Sequence, residues 1–378
     1  MQRIPSLASI ASIVASIVSV APVAPAILIA LTALGHAGHA SAQSTVTLYG
    51  LIDSGISYVD NGAAGATVRQ QSGVSQGSRW GFLGSEDLGG GNKANIVLEG
   101  GFFNDTGVMT GNGGFSRRSI VGLFGAWGAL DVGRDYNPVH TMLAQFDPLA
   151  NGLLSASSGF MGNAGAQMPN AVFYATPDLD GVTAKVGYSF GERAGAGRSG
   201  DTLSSRVVYA HGRLAAGVAY AYQNVAAATG PSFTRDHQAL LTLSYKFDVV
   251  EPVAMLQQGH NNSGSLVYNS NNGVPYSADF RTWMLGASVP LPGHKLAVTY
   301  QRYDDRTTAN ADAGNLALAW YAFVSRRTTL YANVAKIVNR NGQRFAFVDA
   351  GKNVYGYTPA AGERVNPVGV VIGIQHKF

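Results

Sequence analysis

Two short stretches of the chain have residue types and spacings that could do chemistry. Residues 187–191 are GYSFG and match the G-x-S-x-G pattern, in which a serine nucleophile lies on a sharp strand-to-helix turn. Ser189, however, falls within a run of alternating apolar and polar residues, which predicts a strand at this point. Residues 89–93, GGGNK, lack the G-x-x-x-x-G-K spacing of a phosphate-binding loop and indicate a tight turn. Neither stretch predicts an active site.

The composition gives no support for metal or thiol chemistry. The chain has no Cys, which excludes disulfides and thiolate metal sites. Its eight His are dispersed without the spacing of metal ligands. The net charge of +4 is mild and the basic residues are scattered, which argues against nucleic-acid binding. We therefore expect no catalytic residue, no metal and no other cofactor.

The elements that position the charged residues are strands. Apolar and polar residues alternate in segments of about 8–12 residues that turn residues separate, as in VTAKVGYSF (182–190) and QALLTLSYKF (238–247). Only 13% of residues are charged, whereas ordinary globular domains carry about 25%. A soluble sandwich also alternates, but its strands run about 5–6 residues. Longer strands that often end on Tyr, Phe or Trp are typical of a transmembrane β-barrel.

The strand segments number sixteen, and short and long connections alternate between them. Seven tight turns and eight longer loops fit an antiparallel up-and-down barrel with both termini on the short-turn side. The last strand, 367–378, must pair with the first, because an unpaired strand edge cannot lie in hydrocarbon. The predicted strands are 45–59, 76–84, 92–103, 115–125, 128–134, 170–176, 182–190, 202–210, 213–222, 235–247, 250–260, 279–289, 294–303, 314–324, 328–338 and 367–378.

The N-terminal 42 residues form a separate unit. They contain one basic residue, Arg3, no acid, and a long apolar stretch from Ile4 to Leu34, followed by the small-x-small site Ala40-Ser41-Ala42. This pattern predicts a secretory signal peptide at 1–42 that is cleaved before Gln43, leaving a barrel at 43–378. The apolar stretch is longer than usual, so an uncleaved membrane anchor is the alternative.

Several motifs, in order along the chain, resemble the general trimeric porins of β-proteobacteria. The similar stretches are TVTLYGLIDSGISYV (45–59), SRWGFLGSEDLGGGNKANIVLEGGF (78–102), VGLFGAWGALDVGRDY (121–136), NAVFYATPDLDG (170–181), YAFVSRRTTLYA (321–332) and the terminal Phe378. The resemblance implies a water-filled, sixteen-stranded barrel in the outer membrane of a Gram-negative bacterium. It also implies a homotrimer among outer-membrane lipid and lipopolysaccharide. The terminal strand and Phe378 are expected to be the signal for the outer-membrane assembly machinery.

The longest connection, residues 135–169, is the expected constriction of the channel. A sixteen-stranded barrel is too wide for its own side chains to fill, so another element must narrow it. This connection has 35 residues, whereas most have about 4–6, and FDPLANGLLSASSGFMGNAGAQMP is low in charge. Packing against the inner wall is therefore the favoured interpretation, and a surface lid is the alternative. The resemblance implies the same inward fold.

Alternation predicts which charges line the channel. With Trp80 and Phe82 facing lipid, Arg79 faces inward. The same parity turns six more charged residues inward, namely Lys93, Glu99, Asp53, Lys185, Lys246 and Lys295. The resemblance assigns Arg79, Arg117 and Arg134 to the constriction, opposite Asp147 of the long loop. The pair Arg117-Arg118 departs from the Arg-Gln of the family, and strand parity allows only one of the two inward without a bulge.

These charges predict a passive, anion-preferring channel for small hydrophilic solutes and ions, because charges in the narrow zone set selectivity. The alternative is a solute-specific channel on the same scaffold. An adhesin or receptor barrel would need a plug domain or very long loops, which the sequence does not contain. Which solutes pass, where the trimer contacts lie, and whether lipid or divalent ions bind do not follow from the sequence.

Overall fold

The computed structural model describes residues 45–378 except 62–64, 112, 150–151, 153, 156–159, 162–164, 228–229, 231, 265–275 and 348–364. The predicted signal peptide and its cleavage before Gln43 lie outside the described residues. Within the described ranges the chain forms seventeen strand segments and the helix α1. They are β1 Thr45–Asp60, β2 Ala66–Ser72, β3 Arg79–Gly89, β4 Asn92–Gly101, β5 Arg118–Gly125, β6 Gly128–Tyr136, α1 Pro138–Phe146, β7 Gln167–Ala175, β8 Val182–Ser189, β9 Thr202–His211, β10 Leu214–Ala226, β11 Phe233–Tyr245, β12 Glu251–His260, β13 Asp279–Leu291, β14 His294–Asp305, β15 Ala313–Phe323, β16 Thr328–Asn339 and β17 Val368–Lys377.

The strands close into one antiparallel barrel with sixteen strand positions, as predicted. From β3 to β17 each strand pairs with the next in the chain, and β17 returns to pair with β1 from Leu51↔Lys377 to Asp60↔Val368. Segments β2 and β3 share one position, because β2 pairs with the second half of β1 and β3 with the first half. Closure thus gives β1 and each of β3 to β17 a paired strand on both sides, which is the condition for a sheet in a membrane.

The two faces of the wall differ as the alternation predicts. On β1, Leu48, Ile52 and Ile56 are exposed on the outer face, whereas Asp53 and Ser57 are buried on the inner face. On β17 the outer face carries Val370, Ile372 and Ile374. A large exposed apolar surface of this kind fits a wall that faces lipid, with polar groups turned to the lumen. No helix among the described residues is both long and apolar enough to cross a membrane.

Three predicted connections are corrected. Residues 66–72, predicted as part of a loop at 60–75, form β2, and the predicted strand 76–84 is the shifted segment β3. The turn predicted at 85–91 shortens to residues 90–91, because β3 and β4 extend towards each other. The predicted loop 135–169 spans 137–166, because β6 and β7 each extend into it. In the first two cases a strand continues through mainly polar residues, in which alternation of apolar and polar residues is too weak to reveal it.

Candidate functional site: a basic cleft between the wall and an in-folded loop

Helix α1 begins the long connection between β6 and β7. Pro138 occupies the first turn, where a missing N–H costs nothing, and the side chain of Asn137 caps the helix by accepting from the Val139 N–H at 2.9 Å. Ser204 on the inner face of β9 donates to the same Asn137 oxygen at 2.6 Å. The cap therefore fixes the helix to the inner wall at its first residue.

The apolar side of α1 packs into the barrel. Val139, Met142, Leu143 and Phe146 form one buried cluster with inward-facing residues of β9 to β13. The strand members of that cluster are Val208, Ala219, Ala221, Leu240, Val253, Met255 and Met284. Burying a large apolar side chain contributes about 1.5–3 kcal/mol, so this contact holds the helix firmly. The predicted inward fold of the long loop is confirmed.

The loop then continues along the inner wall to the other side of the barrel. The carbonyl of Pro148 accepts from Lys295 Nζ at 2.9 Å, and the carbonyl of Leu149 accepts from Tyr321 Oη at 3.2 Å. Farther on, Phe160 packs edge-on against Tyr303 and at a tilt against Phe345 within a second apolar cluster. The loop thus lines the wall from β9 to β15 with apolar contacts. The wall from β3 to β8 is left facing the polar side of the helix.

A cleft of about 320 Å³ lies between α1 and the wall at β3 to β6. Arg79, Arg117 and Arg118 line it from the wall side, together with Glu99. Helix α1 contributes His140, Thr141 and Ala144 from the opposite side. Three guanidinium groups thus share the cleft with one carboxylate, and the cleft carries a local positive charge.

Glu99 is the hub of the hydrogen bonds in this cleft. Its Oε1 accepts from Arg117 Nε at 2.9 Å and from Tyr136 Oη at 3.1 Å, and its Oε2 accepts from Tyr49 Oη at 3.0 Å. Arg79 Nε lies 3.9 Å from Oε2. Arg117 also donates to Tyr136 Oη. Because Glu99 is nearly buried and satisfied by four neighbours, it offers little negative charge to passing ions.

Arg118 belongs to a second ion-pair group beside the cleft. Its Nε lies 2.7 Å from Asp135 Oδ1, and Lys185 Nζ lies 2.7 Å from Asp135 Oδ2. The Lys185 ammonium also lies over the ring of Phe173, 4.8 Å from its centre. One buried carboxylate therefore holds two cations in place on the inner wall of β5, β6 and β8. Since Arg118 is already one of the three guanidinium groups of the cleft, Lys185 and Asp135 together add no net charge to the lumen.

His140 lines the cleft from the helix side. Its ring stacks on that of Tyr136 with centres 5.5 Å apart, and Arg117 lies nearby. The protein encloses the ring on most sides, although the cleft gives it partial access to solvent. Burial, and secondarily the charge of Arg117, lower the pKa of His140 from 6.5 to about 4. The imidazole is therefore neutral at physiological pH.

The predicted site residues fall into two groups. The structure brings Arg79, Glu99 and Arg117 together in the cleft. Arg117 directly precedes β5 and Arg118 begins it, so strand parity applies only to Arg118 and both reach the lumen. Alternation along β3 and β4 had predicted that Arg79 and Glu99 face the lumen.

The structure does not bring the other predicted residues into the cleft. Arg134 pairs with Ser119 across β6 and β5. This pair lies two positions from Val132↔Val121, which faces outward, so both pairs lie on the same face. Arg134 also donates to the Ser116 carbonyl at 2.6 Å. It therefore faces away from the lumen. Lys93 is exposed near the start of β4, and Lys246 follows the end of β11.

Asp147 and Asp53 also lie apart from the arginines. Asp147 ends α1, accepts from the Leu149 N–H at 2.9 Å, and exerts its charge on Lys295. Asp53 faces inward but is fully buried, with Tyr331 Oη donating to its carboxylate at 2.8 Å. Neither carboxylate neutralises the cleft.

Several groups of the site could not be predicted from the sequence. Alternation could predict that Tyr49 and Tyr136 face inward, but it cannot predict which group their hydroxyls bind. His140 and Asp135 become recognisable only when α1 is placed against β6. Ser189 of the GYSFG stretch lies in β8 and donates to the Pro169 carbonyl. No group of three or more His, Asp or Glu that could hold a metal occurs in the described part of the chain.

Comparison with known proteins gives a consistent result. A family model described as Gram-negative porin matches residues 26–342. Outer membrane porin protein 32 of Delftia acidovorans is 34% identical over 354 residues, which cover 89% of this chain and 95% of that protein. An outer membrane porin protein of Bordetella pertussis is 29% identical over 391 residues, again covering 89% and 95%. The solved structure of an anion-selective porin from Comamonas acidovorans matches with a TM-score of 0.73 at 30% identity, over 89% of this chain and 100% of that one.

Proposed function

Because this chain belongs to the Gram-negative porin family and forms a channel across the outer membrane, we propose that its basic cleft makes the channel prefer anions. The observation that carries this proposal is the grouping of Arg79, Arg117 and Arg118 in one cleft with a single, fully engaged carboxylate, Glu99. Fixed charges act on passing ions within about 10 Å at 0.1 M salt. Charges at the narrow cleft therefore count most, and those in the wide mouths count little.

The proposal has support from a relative as well as from charge. The solved structure with a TM-score of 0.73 is described as an anion-selective porin. Arginine suits this task because its guanidinium stays charged at any pH that the outer membrane meets and is only weakly hydrated. Anions then enter a region in which hydrogen bonds to Glu99 and Asp135 hold the positively charged guanidinium groups in place.

Single-channel recording in a salt gradient tests the proposal directly. Purified protein in a planar bilayer, with tenfold different KCl on the two sides, should give a reversal potential of the sign that chloride permeation produces. The preference should grow in dilute salt, because screening weakens there. A reversal potential of the cationic sign would overturn the proposal.

We also propose that passage is passive and that the chain catalyses no reaction. The cleft residues are hydrogen-bonded donors and acceptors with no nucleophile-base pair among them. Conductance that rises linearly with the concentration of a permeating anion would support a general pore. Conductance that saturates at low millimolar concentration would favour the solute-specific alternative.

The remaining proposals concern processing and assembly. We infer that the mature protein begins at Gln43, forms a homotrimer within outer-membrane lipid and lipopolysaccharide, and is assembled through its C-terminal strand. Similarity to trimeric porins and the small-x-small site at residues 40–42 support this. N-terminal sequencing of an outer-membrane fraction should return Gln43, and Met1 would contradict cleavage. Crosslinking of the same fraction should give a trimer.

A further inference from the structure

The strand position next to β1, which β2 and β3 share, is interrupted between these two segments. On β1, Ser54 pairs with Ser72, the last residue of β2, and Leu51 pairs with Arg79, the first residue of β3. Two residues of β1, 52 and 53, therefore lie opposite six residues, 73–78, of the neighbouring chain. Such an insertion is a large bulge, and bulges re-aim the side chains beside them.

The bulge, residues 73–78, turns into the lumen and meets the in-folded loop. Val74 is fully buried in one cluster with Leu149 and Leu154 of that loop. Gln76 and Gly77 line the basic cleft directly beside Arg79. The inward bulge therefore forms part of the basic cleft, although it originates in the wall.

Asp53 holds the bulge at four of its six residues. Its carboxylate accepts from the backbone N–H of Ser75 at 3.1 Å and of Gln76 at 3.2 Å. Its main-chain carbonyl accepts from the Gly73 N–H at 2.9 Å, and its own N–H donates to Ser78 Oγ at 3.0 Å. Tyr331 and Gln375 donate to the carboxylate from the far side, at 2.8 and 3.4 Å. A buried carboxylate with this many donors is a rigid anchor.

The bulge in turn holds Arg79. Its guanidinium donates from one terminal nitrogen to the Gly77 carbonyl at 3.1 Å and from the other to Gln76 Oε1 at 3.2 Å. The carboxylate of Glu99 is farther away, with its Oε2 3.9 Å from Arg79 Nε. The Asp53 carboxylate thus holds the backbone of Gln76, and the Gln76 side chain and the neighbouring Gly77 carbonyl hold Arg79.

We propose that Asp53 is a positioning residue for selectivity: it orients Arg79 in the cleft through the bulge at residues 73–78. The inference rests on the proposed anion preference. It gives Asp53 an effect on anion permeation opposite in sign to the one expected of an inward-facing acid. As a charge alone, Asp53 would oppose anions. As an anchor, it favours them, because it keeps the Arg79 guanidinium in the basic cleft.

The two roles predict opposite signs for one substitution. Asp53→Asn should lower the anion-to-cation permeability ratio, in the direction of Arg79→Ser but by less, because Arg79 stays present and becomes mobile. Asp131→Asn is the matched control, since Asp131 is another inward acid, near Lys185 and outside the bulge. Its removal should raise the ratio. A rise in Asp53→Asn equal to that in Asp131→Asn would overturn the inference.

A second variant covers the case in which Asp53→Asn fails to insert. Gln76→Ala changes no charge and removes one of the two hydrogen bonds by which the bulge holds Arg79, leaving the one to the Gly77 carbonyl, so it should also lower the ratio, by up to about twofold. In an Arg79→Ser background, both Asp53→Asn and Gln76→Ala should lose this effect. An unchanged ratio in Gln76→Ala overturns the inference on its own. If Arg79→Ser itself leaves the ratio unchanged, the proposed role of the cleft fails instead, so the two failures are distinguishable.

Discussion

Gly50 and Phe378 close the barrel as a pair. The Gly50 N–H donates to the Phe378 carbonyl and the Phe378 N–H donates to the Gly50 carbonyl, each at 3.1 Å. The ring of Phe378 lies over Gly50, where a Cβ would overlap it. An aromatic ring that covers a strand glycine in this way shields the backbone at the closing seam. The last residue of the chain thus completes the contact between the last strand and the first.

Gly50→Ala should weaken the closed barrel. An added Cβ would overlap the Phe378 ring and lie 2.8 Å from the Arg79 carbonyl oxygen, so ring and backbone must both move. Overpacking of this kind costs about 1–3 kcal/mol. Gly84→Ala is the control, because its nearest neighbour would be Ile96 Cβ at 3.8 Å, an ordinary contact. When samples are heated before electrophoresis, the temperature at which the band of the folded form disappears should fall for Gly50→Ala and stay unchanged for Gly84→Ala.

Deleting Phe378 should reduce insertion into the outer membrane. The deletion removes two backbone hydrogen bonds at the seam together with the ring. Phe378→Ala keeps the backbone pair and removes only the ring, so it separates the two contributions. We expect the deletion to lower outer-membrane levels more than the alanine variant does. Levels equal to wild type in the deletion would contradict the assembly role of this residue.

The wall could be predicted from the sequence because alternation depends only on which face a residue occupies. The stretch from Leu48 to Ile56 alternates strongly, and β1 is where it was expected. The strand β2 was missed, because ATVRQQS has polar residues on both faces and its apolar pattern is weak. The bulge at 73–78 was missed for a related reason: GVSQGS has the composition of a surface turn, and only the register against β1 reveals its inward path.

The site could be predicted only in part. Parity alone gave Arg79 and Glu99, which do meet. Arg134 was assigned to the constriction by resemblance, although Val132 two positions away already indicated the outer face. The partners of Arg118 and the position of His140 depend on a helix that packs across the lumen. Such contacts arise from tertiary packing and leave no periodic pattern in the sequence.

Arg118 and Lys185 should show strong coupling through Asp135. Each single change, Arg118→Met or Lys185→Met, leaves the buried carboxylate one cation at 2.7 Å. The double variant leaves it without either, and an uncompensated buried charge is costly. We expect the double variant to lose about 1–3 kcal/mol more than the sum of the single variants, measured from thermal transitions in detergent. Additive losses would show that Asp135 finds other compensation.

His140 should not titrate near neutral pH. Burial and Arg117 hold its pKa at about 4, so the ring stays neutral from pH 8 down to about 5 and gains a positive charge only below that. Anion preference should therefore be flat between pH 8 and 5.5 and rise in more acidic solution. His140→Phe should keep the flat region and lose part of the acid rise. A selectivity change centred near pH 6.5 that His140→Phe abolishes would contradict this placement.

Arg79→Ser should lower anion preference without affecting trimer yield. The residue faces the water-filled cleft, and its guanidinium is one of three that set the local potential there. A unit charge about 5 Å from a passing ion changes the permeability ratio by about two- to fivefold in dilute salt, and less as screening increases. Reversal potentials in a KCl gradient at low and high ionic strength measure both effects.

Arg134→Ser is the matched control for that change, because it removes the same charge from the same barrel. Arg134 donates to the Ser116 carbonyl on the outer face, where the wall separates it from the ion path. Its replacement should leave the reversal potential at the wild-type value at every salt concentration. If Arg134→Ser shifts selectivity as much as Arg79→Ser, the cleft cannot be the zone that selects ions. If only Arg79→Ser does so, the position of the charge, and not the net charge of the barrel, determines the preference.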